Sequence, residues 1–348
     1  MKVAITGSMQ SGKSTLVSAI SGRPMPPPGS VAIEEVVAPV PDERLDWLTE
    51  IYQPKKTVHA TIDCVDLPGL SFADEHTRAA ARRLFNQIRT VDMFVIVVRA
   101  FDEEADFARS LSDIKTEFLL SDLELVTTRI ERLQKQVNKP TSAQGHDKAE
   151  LAIQLKLQEA LEAEKPVSAA IKDETELELI KSLGFLTLKP VMVVVNVAED
   201  RCGENIDLSS IVGPDVEVIT LCASLESELA QLDTASRKEF MADMGITEPA
   251  AKRFVQSCYR TLGLISFLTV GKDEVRAWPI RKGTTAHDAA GKVHSDIKRG
   301  FIRAETIAYA DMQELGDEKS CKAAGKVRLE GKSYVVQDGD IINFRFNV

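Results

Sequence analysis

"KVAITGSMQSGKST", residues 2–15, decides how the rest of the chain is read. An apolar strand over 2–6 runs into Gly7. The pattern Gly-x-x-x-x-Gly-Lys-Ser then follows in register through Gly7, Gly12, Lys13 and Ser14, with Thr15 behind it. Glycine lets the backbone curl so that the N–H groups of Ser8, Met9, Gln10 and Ser11 face an anion. Lys13 would reach the β- and γ-phosphates, and the Ser14 hydroxyl would ligate Mg²⁺. The helical pattern "LVSAISG" behind the loop points its positive end at the same anion. With a strand before it and a helix after it, the stretch reads as a nucleotide-binding loop with Mg²⁺ as cofactor, not as a glycine turn.

The other parts of a nucleotide switch follow in order. "ATIDCVDLPGL" (60–70) is a β-rich run ending in Asp-x-x-Gly at Asp66 and Gly69. Asp66 would hold Mg²⁺ through water, and the Gly69 N–H would sense the γ-phosphate. The motif is common by itself and gains weight from its place on a strand downstream of the loop. Further apolar strands are expected at 93–100, 190–196 and 216–224. Such strands alternating with helices predict a parallel sheet covered on both faces. Many GTPases place Gln after the Asp-x-x-Gly to orient the attacking water. Leu70 stands there and cannot hydrogen-bond it, so either another group serves or hydrolysis is slow. In "VVVNVAED" (193–200), Asn196 opens what GTPases write as Asn-Lys-x-Asp, with Val197 at the Lys position and Glu199 at the Asp position.

Composition sets the class. The 348 residues are 44% hydrophobic and 28% charged, enough apolar mass for two or three domains with real cores. The longest apolar run is far short of a membrane span, and "MKVAITGS" carries no signal peptide. Five scattered cysteines with no Cys-x-x-Cys pair fit a reduced, cytoplasmic setting. The net charge of −10 argues against a chain coated for nucleic acid, and no DNA or membrane partner is expected. The charge is uneven. Residues 265–348 hold 14 Lys/Arg against 12 Asp/Glu, a balance of +2 that leaves −12 on the remainder. A near-neutral tail on an acidic body hints at an anionic partner, and ordinary surface charge is the bland alternative.

Three longer stretches carry a resemblance: "PVPDERLDWLTEIYQPKKTVHATIDCVDLPGL" (39–70), "LGLISFLTVGKDEVRAWPIRKGTTAHDAAGKVHSDIKRGFIRAE" (262–305) and "GKVRLEGKSYVVQDGDIINFRFNV" (325–348). They resemble the YchF family of Obg-like ATPases along nearly the whole chain. The resemblance implies a G domain interrupted by a helical coiled-coil arm and followed by a TGS domain. It also implies ATP preferred over GTP, association with ribosomes, and a role in translation or stress. That family replaces the catalytic Gln by an apolar residue, as Leu70 does, and carries Asn-x-x-Glu, which Asn196 and Glu199 fit. A rigid Asp accepts two N–H bonds that adenine cannot offer, so the longer Glu199 would weaken the veto on ATP. Asp200, one residue on, is a second carboxylate and keeps a guanine reading open. Cys222 and Ala223 take the place of the Ser-Ala whose backbone also contacts the base.

Two departures from the family bear on hydrolysis. Its switch I carries a Thr, a candidate Mg²⁺ ligand, where this chain has Ser30 in "RPMPPPGSVAIEE". Its switch II is glycine-rich, whereas "SFADEHTRAAARRLFNQ" here is full of helix formers. No His stands between His76 and His146, so the family's histidine after switch II is not carried over. His76 itself reads as a solvated helix residue, and no catalytic residue is assigned.

Between the halves of the G domain, Leu123, Val126, Ile130, Leu133 and Val137 follow the spacing of a coiled-coil seam. Pro140 stops that helix, "TSAQGHD" makes a polar tip, and "KAELAIQLKLQEALEAE" returns with Leu151 and Leu155 on one stripe and Ile153, Leu157 and Leu161 on another. Pro166 follows. This predicts an antiparallel helical hairpin. In the tail, "FLTV" and "VRAWPI" predict a strand hairpin and "TAHDAAGKVHSDI" a helix. "VRLEGKSYVVQDGDIINFRF" adds two strands turned at Asp338-Gly339. The expected fold is α/β: a P-loop NTPase G domain (1–118 and 186–262) with an inserted helical coiled-coil hairpin (119–185) and a C-terminal β-grasp domain (263–348). Lys282, Lys292, Lys298, Arg299 and Arg303 would form a basic face for ribosomal RNA, or merely a solvated helix flank. The functional expectation is a monomeric, slow, ATP-preferring switch on the ribosome. The alternatives are a binding-only adaptor and a GTPase.

Overall fold

The computed structural model describes residues 1–22, 32–102, 106–138, 144–202, 204, 206–214, 216–244 and 246–347. Ser30, the proline run 26–28 and Pro140 lie outside them. By contacts the chain divides into two units, 1–36 with 64–238, and 37–63 with 239–348. The chain passes from the first to the second inside one strand and returns inside another.

In chain order, the first half runs through β1 (Lys2–Thr6), α1 (Lys13–Ser21), β2 (Glu34–Pro39), α2 (Glu43–Tyr52), β3 (Lys56–Val58), β4 (Thr61–Asp66), α3 (Glu75–Gln87) and β5 (Met93–Ala100). Then come α4 (Phe107–Gln136), α5 (Gln144–Glu162), α6 (Glu174–Ile180), β6 (Val191–Val197), α7 (Ser209–Val212), β7 (Glu217–Leu221) and α8 (Ala223–Gln231). The strand order β2-β4-β1-β5-β6-β7, with β1, β5, β6 and β7 parallel, is the expected α/β sheet. β1 lies between β4 and β5, so the chain goes to opposite sides of β1 after leaving it. That is the switch point where such sheets open a crevice for a ligand. The strands read as uninterrupted Val/Ile/Met runs because both faces are covered: residues 93–98 of β5 and 192–195 of β6 are all 1% exposed or less. Phe85 of α3 and Phe118 of α4 close one face of the sheet against Phe94, with Phe85 and Phe118 edge to face at 4.8 Å.

α4 is one continuous helix of 30 residues. Asp106 caps its start, accepting from Arg109 N at 2.8 Å. Its C-terminal half and α5 form a hairpin whose seam is Val126, Ile130, Ile153, Leu157 and Leu161, buried with Val167, Ile180 and Phe185. The two stripes of α5 separate here. Ile153, Leu157 and Leu161 are inside, while Leu155 is 47% exposed. Residues 144–147, read from sequence as part of a polar tip, already belong to α5, and Gln144 Nε2 donates to Val137 O at 2.9 Å. α5 ends four residues before Pro166, next to Glu164 in the left-handed region (φ 58°).

The second unit gathers α2, β3, half of α9 (Thr234–Asp243), α10 (Ala250–Thr261), β8 (Leu264–Thr269), β9 (Glu274–Arg281), α11 (Ala286–Val293), α12 (Ser295–Arg299), β10 (Phe301–Ala308), α13 (Tyr309–Leu315), α14 (Glu318–Ala323), β11 (Arg328–Glu330) and β12 (Asp340–Phe346). Its sheet runs β11-β10-β12-β8-β9-β3. Ala286, Ala289 and Ala290 of α11 pack on Phe267, Phe301, Ile342 and Phe344, a helix lying across a sheet as in a β-grasp domain. The expected hairpin is β8–β9, and the last two expected strands are β11 and β12. Two strands were not anticipated. β10 lacks a clear alternation in sequence, and its pairing with β12 shifts register between Phe301 and Arg303. β3 is three residues long and is fixed only by pairing with β9. Of the five basic residues read around α11, Lys298 is paired to Asp288 and Arg299 to Asp296, which draws two charges out of the expected basic face.

Candidate nucleotide site

β1 delivers Gly7 to the end of the sheet at a place where no side chain fits. A Cβ there would lie 2.3 Å from Val97 O. The loop turns at Gln10 (φ 59°) and Gly12 (φ 88°), both left-handed. A Cβ on Gly12 would come within 2.2 Å of Asn196 Nδ2. α1 then begins with no side-chain cap and no acid in its first turn. Its start carries the partial positive charge of a helix N-terminus. Ser8, Met9 and Gln10 line the exposed rim, with Met9 60% exposed, while Ser11 is buried and Thr15 half-buried.

Beneath the loop sit Lys13 and Asp66, each 5% exposed. Ser14 Oγ donates to Asp66 Oδ2 at 2.9 Å. Burial pushes the Lys13 ammonium pKa down, only partly opposed by the Asp66 charge. Burial likewise pushes the Asp66 carboxyl up against the Ser14 hydrogen bond and the Lys13 charge, with Glu34 adding to the rise. Asp66 Oδ1 is buried with no hydrogen-bond partner among the described residues. A buried cation and an unsatisfied carboxylate oxygen beside a helix start form a site short of countercharge. A phosphate would supply the anion for Lys13. A hard cation would satisfy Asp66 and Ser14, oxygen donors of the kind Mg²⁺ takes when phosphates and water complete its shell. Among the described residues no group of three or more His, Cys, Asp or Glu is placed to hold a metal ion. When bound, Mg²⁺ would neutralise charge on the β- and γ-phosphates.

Gly69 and Leu70 meet the loop through the backbone. Leu70 N donates to Gly7 O and Met9 N to Leu70 O, both at 3.0 Å, and a Cβ on Gly69 would lie 3.0 Å from Met9 Cα. The Leu70 side chain is 5% exposed and belongs to the core. It is a packing residue.

The Asn196 side chain is bonded to the loop and to the start of α8. Its Nδ2 donates to Ser11 O at 3.0 Å and its Oδ1 accepts from Ala223 N at 2.9 Å. One bond from each amide atom ties the loop, β6 and the start of α8 together, and the second Nδ2 hydrogen stays available to a ligand. Cys222, buried, precedes α8 and sits 3.1 Å from Ser224 Oγ. Val197 is 1% exposed in the core beneath β6, so only its backbone is available to a ligand. Glu199 and Asp200 are both exposed in the turn that follows. His76 is exposed in the first turn of α3. Ser30, read as a metal ligand, is outside the described residues.

Sequence reasoning missed a second set of residues next to this site. Arg78 and Arg82 of α3 both reach Glu117 of α4, and Arg89 reaches Asp122. The only hint was the density of arginines in "HTRAAARRLFNQIR".

Residues 2–128 match the family described as 50S ribosome-binding GTPase, MMR_HSR1, and residues 264–347 match YchF-GTPase_C, described as a protein of unknown function (DUF933). Over full length the chain is 38% identical to the Ribosome-binding ATPase YchF of Bacillus subtilis, covering all of both chains. It is 34% identical to the Obg-like ATPase 1 of Oryza sativa, covering all of this chain and 92% of that one. The structure of the Schizosaccharomyces pombe YchF GTPase superimposes with a TM-score of 0.83 at 31% identity, covering 99% of this chain and 97% of the other. The chain belongs to the YchF family. It is a nucleotide hydrolase with a P-loop, and its C-terminal residues form that family's own domain. No described helix is long and apolar enough to cross a membrane.

Proposed function

We propose that the protein binds ATP with Mg²⁺ in preference to GTP, hydrolyses it slowly, and uses the bound state to control association with the ribosome in the cytoplasm, acting as a monomer. The observation that carries nucleotide binding is the cluster of Lys13, Ser14 and the half-satisfied Asp66 beneath an uncapped helix start. In this reading the backbone of residues 7–15 and Gly69 cradles the phosphates. Val197, Glu199, Cys222 and Ala223 border the base, Asn196 shapes the pocket from behind, and Ser14, Asp66 and Ser30 serve the metal. Glu199 at the Asp position and Val197 at the Lys position support ATP, since the pair lacks the short acceptor and the cation of a guanine reader at those two places. The relatives named as ribosome-binding ATPases support the ribosome as partner. The arm at 119–185 and the β-grasp domain at 263–348 are the surfaces proposed to meet it.

A second reading, occupancy with negligible turnover, is favoured by the Leu70 side chain lying in the core. A third, GTP hydrolysis, rests on exposed Asp200. Calorimetric titration with ATP and with GTP, with phosphate release followed on the same sample, separates the three. The proposal expects tighter ATP binding and measurable, slow release. Tighter GTP binding overturns the base assignment, and binding without release establishes the adaptor.

A further inference from the structure

α3 starts five residues after Leu70, whose backbone is bonded to the phosphate-binding loop. Asp74 and Thr77 close a capping box that fixes its first turn. From its first turn to its middle it is bonded to α4, the helix that leads into the arm. Arg78 donates to Glu117 Oε1 and Asp113 Oδ1, each at 2.9 Å, and Arg82 to Glu117 Oε2 at 3.0 Å. Just past the helix, Arg89 donates to Asp122 Oδ1 at 2.6 Å and to both the carbonyl and the hydroxyl of Ser121 at 2.8 Å. Glu117, Ser121 and Asp122 are all 0% exposed.

Asp122 is also where the arm returns. Its Oδ1 accepts Leu186 N at 3.0 Å, and its Oδ2 accepts Thr187 N and Thr187 Oγ1, both at 2.9 Å. Thr187 Oγ1 in turn accepts Val167 N at 3.1 Å, at the foot of the arm's second helix. Arg89 further donates to Gly184 O at 3.4 Å, and a side chain at Gly184 would strike Arg89 O at 2.7 Å. One buried carboxylate thus joins the end of the switch II helix, the outgoing strand of the arm and the incoming one.

We propose that α3, held by Arg78 and Arg82 on Glu117 and by Arg89 on Asp122, is the lever that couples nucleotide occupancy to the position of the helical arm. The proposal rests on the nucleotide reading above. A helix of this length is about 20 Å long and rigid. Its start follows Gly69 and Leu70, and its end cannot move without dragging Asp122 and both strands of the arm. The helix-forming switch II is the reason this works: a glycine-rich segment would bend and absorb the shift. Buried, multiply bonded charge pairs transmit displacement because letting go leaves a bare charge in the interior.

The test measures the distance between spin labels at Lys135, on the arm, and Glu228, on α8, both exposed. It uses the full chain with Cys202, the exposed thiol, replaced by Ser. A non-hydrolysable ATP analogue with Mg²⁺ is the probe, and its binding is titrated on the same labelled protein. The expected result is a shift of the distance distribution on the order of 5 Å on binding. Arg89→Ala should abolish that shift while nucleotide affinity stays within about twofold. If Arg89→Ala does not fold, Arg89→Lys, which keeps the charge at Asp122 and removes the fork to Ser121, carries the same comparison with a reduced shift expected. Bound nucleotide with an unmoved arm, or a full shift in the variant, overturns the lever and leaves nucleotide binding intact. A titration with no binding overturns the nucleotide reading, and the lever with it.

Discussion

Ser14 Oγ and Asp66 Oδ2 are 2.9 Å apart across 52 residues of sequence, and the other oxygen of Asp66 has no partner among the described residues. The pair joins the loop after β1 to the end of β4 and leaves an acceptor in waiting. Most buried polar atoms in proteins are satisfied, and this unpartnered oxygen lies beside the buried Lys13 and the Ser14 hydroxyl, the grouping on which the nucleotide reading rests.

Removing Lys13 should separate binding from stability. Lys13→Ala loses a charge-assisted contact to phosphate, about 1.5–3 kcal/mol, or roughly ten- to a hundred-fold in affinity. Burial already pushes the ammonium pKa down, so the nucleotide-free fold should tolerate the change. Titration and thermal melting on one preparation check both halves. Full affinity in the variant would show that the loop is not the site.

Asp66 should make the free protein pH-sensitive in a definite direction. Its folded pKa is raised, chiefly by burial, so the folded state holds this proton more tightly than the unfolded chain. The stability it contributes is complete below the ordinary carboxylate value and is lost as pH climbs through the raised one. Asp66→Asn should remove that part of the slope and raise the melting temperature of the nucleotide-free protein at neutral pH. It should also weaken Mg²⁺-dependent binding. Melting curves from acid to neutral pH, with and without Mg²⁺ and ATP, read both effects.

The base preference should respond to one position and not to its neighbour. Glu199→Asp, exposed, is expected to move the ATP-to-GTP affinity ratio towards GTP with no loss of stability. Val197→Lys completes the guanine motif on paper but puts an ammonium where the side chain is 1% exposed. It should cost several kcal/mol, about 3 or more, and lower the melting point sharply. A well-folded Val197→Lys protein would show that β6 ends differently from the arrangement described here.

Glu117 should be worth more than an ordinary salt bridge. It faces Arg78 and Arg82 and is fully buried. Glu117→Gln removes the buried anion that Arg78 and Arg82 share, leaving them the more exposed Asp113, Glu75 and Glu124, and should destabilise by about 2–3 kcal/mol. Glu75, 76% exposed and also paired to Arg82, should give under about 1 kcal/mol when changed to Gln. Denaturant titrations of the two variants test the contrast.

Ribosome association should depend on the arm while nucleotide binding does not. Replacing 126–161 by a short linker keeps Asp122 and its partners and removes most of the seam. Cosedimentation with ribosomes should weaken, and should fall further with salt if basic residues meet RNA. Equal pelleting of both proteins in every nucleotide state would remove the arm from the interface.

Local chemistry determined a good deal. The phosphate loop, the run of apolar strands, the seam at Val126, Ile130, Ile153 and Leu157 and the closing hairpin of the tail could all be read along the chain, because burial imposes a period on neighbouring residues. The sites where distant segments meet could not. Asn196 is a single letter in a motif until the fold sets Ser11 O on one side of it and Ala223 N on the other. Residues 37–63 look like a continuation of the nucleotide domain, yet β3 pairs with β9 and Arg44 grips Asp338 at 2.9 Å, so that stretch packs with the C-terminal unit. The arginines at 78, 82 and 89 carried no assignment along the chain, and only tertiary packing put the buried Glu117 and Asp122 opposite them. Charge pairing carries no period: which acid an arginine meets depends on which helix faces cross, and that is decided by the core beneath them.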